Sequence, residues 1–380
     1  MKRRQFLAVL GGGVVLAAAG ASTAFLLTRR PDRALAPWTV AGMPDQEPRR
    51  RALSYAILAP NPHNRQPWLV DLGVKDQVTL YVDTTRLLPE TDPHNRQITI
   101  GLGCFIEQMA IAASIQNYRL DVSLFPEGSD AQALDARPVA VVRFERDPTI
   151  GADPLFAQIL RRRSLKEPFD LTKPVPWEVL GALGASVRHG TLAGSSNDPS
   201  VVATLREMTH AALDLEINTQ RTYRESVDLL RIGKAEIEAS PDGIDLGGPL
   251  FDGLAALGQL SREQALDTTS TAFAQGRAAL LANTDTAMAH IWLTTSGNSR
   301  VEQIAAGRDW ARINLTATAL GTGLQPLSQA LQEFPEMDEH YRQVHKMLSP
   351  EGGTVQMLGR LGYAGTVEPS PRWPLDAKII

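Results

Sequence analysis

Apolar residues recur at helical spacing in two long stretches of the chain. In the first stretch they form one stripe, made of Leu102, Phe105, Ile106, Met109, Ala110 and Ala113. The second stretch, about 300–320, carries Trp310, Ile313, Ala317 and Leu320 at similar intervals. A stripe of this kind is typical of a helix with one face on a core. The pattern therefore predicts two long core helices, and it predicts further helices over 201–217 and 220–239.

Segments of alternating or continuous apolar residues predict strands between these helices. They cover 77–82, 120–125, 138–144, 290–295 and 355–363. A period of two residues is the pattern of a strand with one buried face. Strands mixed with helices in this way predict an α+β protein.

A weak internal repeat divides the chain. The predicted helices at 103–117 and 308–322 both contain a run of small residues, and strands follow both. We therefore predict two similar α+β halves that form an internal pseudo-dimer, over 49–150 and 151–380. Residues 240–270 are rich in Gly, Pro and Asp, and they are a candidate lid over a site.

The N-terminus is predicted to be a targeting segment. Lys2, Arg3 and Arg4 precede an apolar run that ends at Leu27, and this resembles a twin-arginine export signal. We expect export by the twin-arginine translocase to the periplasm or to the outer face of the cytoplasmic membrane. The run is also long enough to remain as an anchor, so residues 1–30 are either a cleaved signal or a membrane span. Residues 31–48 are predicted to be an extended linker.

Composition removes several classes of function. The 380 residues carry a formal net charge of −4, whereas nucleic-acid-binding proteins usually have a basic excess. The single cysteine, Cys104, excludes an intramolecular disulfide and is interpreted as a small buried residue. The seven histidines are scattered, without a His-Glu-x-x-His motif, so no metal site is predicted. The lone Gly-x-Gly pairs at 101–103 and 321–323 are interpreted as packing and capping glycines.

A stiff polar turn over 59–68 is the first candidate site. It contains three prolines, and its polar side chains lie between a predicted helix and a predicted strand. The second candidate is the basic run of Arg161, Arg162, Arg163, Ser164 and Lys166, which can bind an anion. From the residues alone, an ordinary Pro/Asn turn is the favoured interpretation of the first segment, and a solvated basic helix end is at least as acceptable as an anion site for the second.

Four segments together resemble the nitroreductase superfamily of FMN-binding oxidoreductases, and most closely its exported, duplicated Acg-like branch. Ala59 to Trp68 is similar to the family's AP-S-x-x-N-x-QPW, and Arg162 to Phe169 is similar to RRS-x-R-x-F. The other two segments are 317–327 and 358–363. The match covers most of 49–375 and is weakest in 170–290.

The order of these motifs implies one composite site. In the family, RRS precedes NxQPW within a subunit, and each flavin lies at a dimer interface. Here NxQPW is in the first half and RRS is in the second. The resemblance therefore implies a pseudo-dimer of antiparallel-rich sheets flanked by helices, with a single FMN between the halves and a monomeric protein.

The resemblance also assigns the ligands of FMN. Those for the ribityl phosphate and the pyrimidine edge would be Arg162, Arg163, Ser164 and Lys166, with Arg372 as a further phosphate ligand. Those for the ring would be Asn61, His63 and Asn64 from the first half, and Pro326, Leu327 and Ser328 along it, with a backbone N–H near N5. Gln66 and Trp68 are expected to orient the turn and fill the core. The family's serine is replaced by Asn61, and a second terminal arginine is replaced by Trp373.

The implied activity is transfer of two electrons from FMN to a nitro-, quinone- or similar small-molecule acceptor. No protein acid or base is predicted. NAD(P)H is the donor that the family uses, but an exported protein would need another donor, such as a quinol or a protein. The alternatives are a flavin-sequestering protein without turnover and an exported protein without flavin.

Overall fold

The computed structural model describes residues 28–43 and 47–380. In this part of the chain the helices are α1 (Asp32–Val40), α2 (Pro48–Ala56), α3 (Arg96–Ser114), α4 (Trp177–Gly184), α5 (Pro199–Asn218), α6 (Gln220–Asp228), α7 (Gly233–Ala239), α8 (Pro249–Ala256), α9 (Arg262–Leu266), α10 (Thr271–Thr284), α11 (Arg300–Ala319) and α12 (Asp338–Leu348). The strands are β1 (Trp68–Asp71), β2 (Gln77–Val82), β3 (Tyr118–Leu124), β4 (Ala140–Arg146), β5 (Leu192–Ser196), β6 (Leu230–Ile232), β7 (Ile244–Leu246), β8 (Ala289–Thr295), β9 (Gly323–Pro326) and β10 (Thr354–Gly362). The predicted twin-arginine motif at Arg3 and Arg4 lies outside the described residues.

Two four-stranded antiparallel sheets organise these elements. Their strand orders are β1-β2-β4-β3 and β5-β8-β10-β9. Along the chain, a long helix follows the first two strands of each sheet: α3 follows β2, and α11 follows β8. The other two strands of the sheet come after that helix. The prediction of an α+β protein with antiparallel sheets is confirmed. The two sheets therefore share one topology, which is what the predicted pseudo-dimer requires.

Helices α3 and α11 cross in the centre of the protein at a pair of glycines. A Cβ atom added to Gly103 would lie 2.3 Å from the carbonyl oxygen of Ile304, and one added to Gly307 would meet the Ile100 carbonyl. The backbones can approach this closely only without side chains. Cys104 is buried beside the crossing, as predicted, and its thiol donates to the Gly307 carbonyl at 3.1 Å. Gly103 is thus a packing glycine, as the sequence suggests.

Helix α3 is also the one helix in the described ranges that is long and apolar enough to cross a membrane. The share of its most apolar window that is buried inside the protein is 94%. It is therefore the core helix of this fold.

Helices α3 and α11 each start with an arginine that reaches into the other half. Arg96 donates to the carbonyls of Leu331 at 2.6 Å and Gln356 at 2.7 Å. Arg300 donates to the carbonyls of Asp130 at 3.0 Å and Ala131 at 3.3 Å. Because both arginines are buried, each end of the helix pair is held by hydrogen bonds between the halves.

Three predicted segments differ from the structure. Residues 31–48 are not an extended linker, because α1 forms there and buries Leu35 and Trp38 against the body of the protein. The predicted helix over 220–239 is broken by β6, after which Gly233 adopts a φ of +78°. The basic run over 161–166 is not the end of an α-helix, because the element that precedes it is only a 3₁₀ turn at Pro154–Gln158.

Candidate functional site

The turn over 59–68 has an unusual backbone. His63, Asn64 and Gln66 have φ values of +46°, +51° and +50°. Residues other than glycine seldom adopt this left-handed region, and it costs about 1–2 kcal/mol for each residue. Three such residues within four positions mark a segment that the surrounding structure must hold in place. Strain of this kind is concentrated at functional sites.

Buried amides hold the turn. The Gln66 N–H donates to Asn61 Oδ1 at 2.7 Å, and the Gln66 side chain bonds the Pro241 carbonyl at 2.7 Å and the Trp373 N–H at 2.9 Å. Trp68 is fully buried and packs on Phe105, with ring centroids 4.9 Å apart. Gln66 and Trp68 thus have the orienting and packing roles that we predicted.

Two buried arginines lie behind the turn. Arg162 is 3% exposed and Arg372 is 2% exposed, and both donate to the Leu58 carbonyl at 3.2 Å. Arg372 also bonds the Ala59 carbonyl and Asn64 Oδ1. The structure therefore brings together Asn64 and Arg162, which lie in two different motifs of the sequence, and Arg372, which lies near the C-terminus.

The charge of this pair is unmatched. Among the described residues, neither arginine forms a salt bridge, and the Nε atom of each is buried without an acceptor. Burial is the main cause that lowers the pKa of Arg162 to about 10 and of Arg372 to about 9. The charge of Arg163 contributes at Arg162, and the charge of Arg162 contributes at Arg372, where Asp245 opposes it. Buried charges are normally paired, so this site is suited to an anionic group.

His63, Lys166 and Asp245 extend the site beyond the arginines. The pKa of His63 is lowered to about 4. Burial is the main cause, and the charges of Lys166 and Arg65 contribute. Asp245 retains solvent exposure on β7, yet the surrounding protein raises the pKa of its carboxyl, against the effect of Lys166 and Arg372. A group that is both accessible and desolvated is expected in a cleft. This cleft carries titratable groups of both signs.

The second half contributes the strand end at Pro326. Leu327 is buried, and its N–H donates to the Leu358 carbonyl at 2.8 Å. The next N–H, that of Ser328, has no acceptor in the part of the chain that the structure describes. Ser164 lies 3.5 Å from Arg162 Nη1, and the N–H of the adjacent Leu165 bonds the Leu324 carbonyl on β9 at 3.0 Å. The RRS-like segment therefore runs beside the edge of the second sheet.

Arg163 takes a different position from its neighbour. Its guanidinium donates to the carbonyls of Leu160 at 2.9 Å and Val367 at 3.3 Å. It also lies 4.9 Å from the ring of Trp38, a ring that Arg372 approaches at 5.5 Å. Asn61 turns its amide toward its own turn, where Nδ2 bonds the Ala59 carbonyl. Arg163 thus packs on α1, and it makes no hydrogen bond to the turn.

A short segment of the predicted lid, residues 240–246, lies on the turn. The Gly243 N–H donates to the Asn64 carbonyl at 3.2 Å. Asp242 binds Arg86 and Arg231, and Arg65 lies nearby. Burial opposes the effect of these arginines, but the pKa of Asp242 still falls to about 2. The turn, the lid segment and the C-terminal residues around Arg372 therefore form one linked structure.

The sequence patterns did not reveal one buried carboxyl. It lies between the turn of the first half and the segment after Pro326 in the second half. Glu216 on α5 accepts from Gln332 Nε2 at 2.8 Å and from Ser226 Oγ at 3.4 Å. Ser226 Oγ lies 3.2 Å from His63 Nε2. Residues 201–217 have an ordinary helical pattern, so nothing in the sequence distinguishes Glu216 from a glutamate on a solvated face. No cluster of candidate metal ligands occurs in residues 28–43 and 47–380.

Comparison with known proteins gives relatives of low identity that align over most of the chain. No protein-family model matches. A protein of Mycobacterium tuberculosis (strain ATCC 25618 / H37Rv) with the name "Putative NAD(P)H nitroreductase Rv3131" is 25% identical over 351 residues, which cover 88% of this chain and 92% of that protein. A second, "Putative NAD(P)H nitroreductase acg" of the same strain, is 28% identical over 132 residues, or 34% of this chain and 38% of that protein.

Among solved structures, the FMN-dependent nitroreductase NfnB from Mycobacterium smegmatis in complex with NADPH aligns with a TM-score of 0.37. It is 19% identical and covers 58% of this chain and 94% of its own. The curated relatives confirm the resemblance to nitroreductases, including Acg, that the motifs suggest.

Proposed function

We propose, from its relatedness to proteins named as nitroreductases, that this chain is an FMN-dependent oxidoreductase. It would transfer two electrons to a nitro compound, a quinone or a similar small acceptor. NAD(P)H, which stands in the names of its relatives, is the proposed electron donor. The observation that carries the proposal is the unmatched charge of Arg162 and Arg372 behind a strained turn.

The residues present fit FMN in chemical type. A phosphate would find two buried guanidinium groups with free Nε atoms, and bidentate binding of phosphate is what arginine favours. A flavin ring needs hydrogen bonds at its polar edge, and the N–H of Ser328 and the side chains of His63 and Lys166 are the proposed partners. FMN would supply the two-electron chemistry, whereas the protein binds, orients and shields it.

The proposed site is composite, with one wall from each half. Asn64 and His63 come from the first half, and Arg162, Lys166 and Ser328 come from the second. The hydrogen bond from Arg372 to Asn64, together with the Leu58 carbonyl that Arg162 and Arg372 share, supports this arrangement. We propose that one flavin lies there and that the internal pseudo-dimer takes the place of a second subunit.

We also propose that the protein is exported. The apolar segment that follows Arg3 and Arg4 supports this, and the twin-arginine pathway carries proteins that are already folded. FMN would then be bound in the cytoplasm before transport. Because NAD(P)H is a cytoplasmic donor, an exported form would need a quinol or a protein partner as its reductant.

A second candidate function is flavin sequestration without turnover. The hydrogen bonds that hold residues 240–246 on the turn favour it, because a fixed cover over the ring would keep an acceptor away. The two functions share a binding site and differ in whether bound flavin reacts.

The test begins with the full-length chain, purified in detergent. We expect it to bind FMN with a stoichiometry of one, and we expect anaerobic NADPH to bleach the flavin spectrum, which 1,4-benzoquinone then restores. A protein that neither contains FMN nor takes it up would refute both functions. Bound FMN that dithionite reduces, but that benzoquinone does not reoxidise, would establish sequestration.

The donor is tested in the same preparation. Reduction by dithionite and by a quinol, but not by NADPH, followed by normal reoxidation, would retain the oxidoreductase and replace its donor. This result would also agree with an exported location.

A further inference from the structure

Glu216 is a buried carboxyl that links the two walls of the proposed site. Its Oε1 atom is bound by Ser226, which in turn reaches His63 on the first wall. Its Oε2 atom is bound by Gln332, four residues after Ser328 on the second wall. The side chain is 5% exposed, and among the described residues it has no cationic partner. A buried carboxyl without a counter-charge is held most easily in its protonated form.

Two buried polar atoms beside this network have no partner in the described residues. They are Nδ1 of His63 and Oε1 of Gln332. Buried polar atoms are nearly always bonded, so each such atom requires an explanation, such as a catalytic role or a ligand. Both atoms belong to residues that are bonded to the Ser226 and Glu216 chain. The network therefore has a free hydrogen-bonding atom at each end, one on His63 and one on Gln332.

We propose that Glu216, Ser226 and His63 form a proton relay that protonates the acceptor reduced at this site. The proposal rests on the proposed oxidoreductase function, because it supplies the proton that such a reduction consumes. Glu216 and Ser226 act through His63, and they are positioning residues in the relay.

The proton balance follows from the contacts. A quinone that receives a hydride becomes an anion, and one proton completes the hydroquinone. In the protonated state of Glu216, Oε1 donates to Ser226 Oγ and the Ser226 hydroxyl turns to donate to His63 Nε2. His63 then releases the proton from Nδ1, while Nε2 accepts the proton of the Ser226 hydroxyl. Ser226 receives the proton of Glu216, which is left as a carboxylate until solvent reprotonates it. The hydride comes from a reduced flavin, and no further oxidant or reductant is needed.

The charged neighbours give the relay a defined pH range. The pKa of Glu216 is raised to about 7. Burial is the main cause, and the nearby carboxylate of Glu225 contributes. Burial, with smaller contributions from the charges of Lys166 and Arg65, keeps His63 neutral by lowering its pKa, which a relay through both ring nitrogens requires. Glu216 is protonated below pH 7, so proton delivery should fall as the pH rises through 7.

A purely structural role would not need a carboxyl that titrates at this pH. Glu225, its neighbour in space, has such a role, because it accepts from the N–H groups of Glu90 and Thr91, both at 2.9 Å. Replacement of Glu216 by glutamine retains the bond from Ser226 and the shape of the side chain, but it removes the titrating proton. Glu225→Gln is the matched control.

The test uses protein reduced with one equivalent of dithionite and mixed with an acceptor in a stopped-flow instrument. 1,4-Benzoquinone consumes protons on reduction, whereas ferricyanide accepts electrons alone. We expect Glu216→Gln and Ser226→Ala to lower the ratio of the benzoquinone rate to the ferricyanide rate at least ~10-fold at pH 6. The fall of this ratio above pH 7 should be absent in Glu216→Gln. Glu225→Gln should retain the ratio at pH 6 and move its fall to lower pH.

Two outcomes would overturn the relay. One is a ratio and pH profile in Glu216→Gln equal to those of the unsubstituted protein. The other is an equal loss with both acceptors, which would show a structural effect. If the purified chain binds no FMN, the proposed function fails, whereas FMN turnover with unchanged ratios refutes the relay alone.

A measurement on the flavin-free protein tests the relay independently. The ¹⁵N chemical shifts of His63 should show the proton on Nδ1 at pH 6, and difference infrared spectroscopy should show a carboxyl that titrates near pH 7 and is absent in Glu216→Gln. A proton on Nε2, or no such carboxyl, would refute the relay even where the variants fold poorly.

Discussion

Two groups of arginines in this protein, one partly buried and one fully buried, differ in how their charge is balanced. In the core, Arg308 and Arg312 on α11 contact Glu107 on α3 at 2.9 and 2.8 Å, and Arg312 also contacts Asp153 at 2.9 Å. Behind the turn, the acceptors of Arg162 and Arg372 among the described residues are carbonyl, amide and hydroxyl oxygens, and neither arginine forms a salt bridge there. Both groups lie at contacts between the halves, but only the first is neutralised by carboxylates.

The pKa values show the same difference. The arginines and His189 hold the pKa of Glu107 at about 2, against the opposing effect of burial. At the turn, burial and the charges of neighbouring arginines lower the pKa values of Arg162 and Arg372 themselves. The core arginines are therefore neutralised by carboxylates, whereas the charge of the arginines behind the turn is left for an anion to balance in the proposed site.

The largest expected effect is the loss of FMN when the unpaired charges are removed. Each charge-assisted hydrogen bond contributes about 1.5–3 kcal/mol. Arg162→Ala with Arg372→Ala should therefore raise the Kd for FMN at least ~100-fold, measured by fluorescence titration. The control is Arg137→Ala with Arg342→Ala, which removes the same charge from the surface. An unchanged Kd in the first variant would remove the phosphate assignment.

A core carboxyl should show the opposite behaviour. Glu107→Gln leaves Arg308 and Arg312 without their shared anion, and removal of one partner from a buried pair costs about 3 kcal/mol of stability. We expect this loss in urea unfolding, with the Kd for FMN unchanged. A large loss of FMN affinity without destabilisation would contradict the division of the two groups.

The two buried glutamates should respond to pH with opposite signs. The pKa of Glu107 is lowered in the folded protein, so its stabilising effect is present above pH 4.5 and lost as the pH falls through 2. The pKa of Glu216 is raised to about 7, so its effect is present below pH 4.5 and lost as the pH rises through 7. Relative to Glu216→Gln, the flavin-free protein should lose on the order of 3 kcal/mol between pH 4.5 and 7. Urea unfolding across this range measures the difference, and parallel curves for the two proteins would contradict it.

The smallest expected effect concerns the contact between α1 and the unpaired arginines. Trp38 lies against Arg163 and Arg372, and contacts of this kind contribute about 0.5–2 kcal/mol. Trp38→Ala should release FMN several-fold faster, as followed by the recovery of flavin fluorescence. Trp177→Ala, which removes a tryptophan that is 70% exposed, is the control and should leave the release rate unchanged. Equal rates for all three proteins would show that α1 does not hold Arg372.

The long core helices and strands β2, β3, β4, β8 and β10 were predicted with small boundary errors, whereas β5, β6, β7 and β9 were not predicted. The apolar stripes of the predicted elements are strong signals, and in α3 nearly every residue is buried. The turn was also predicted, because three prolines restrict its backbone. The prediction failed at 31–48 and at 220–239, where packing decides the conformation: Trp38 holds α1 through a bond to the Ser370 carbonyl, and Gly233 breaks the second segment.

The candidate site was predicted in part. The motif order predicts that Asn64 and Arg163 lie near one ligand. The structure brings Asn64 and the adjacent Arg162 to Arg372, whereas Arg163 makes its hydrogen bonds elsewhere. Adjacent arginines in sequence have different environments, since Arg162 is buried behind the turn and Arg163 lies on Trp38. Glu216 could not be found, because the role of a carboxyl depends on its burial and its partners.

By itself, the sequence determined the secondary-structure periods, the stiff turn, the single cysteine and the set of basic residues available. These properties depend on short-range backbone restriction and on residue type. The tertiary structure alone decided which arginines lack a carboxylate, which glutamate is desolvated, and which side chains 150 to 300 residues apart make contact. Charge balance and desolvation depend on all atoms within a few ångströms, and residues distant in sequence provide most of those atoms.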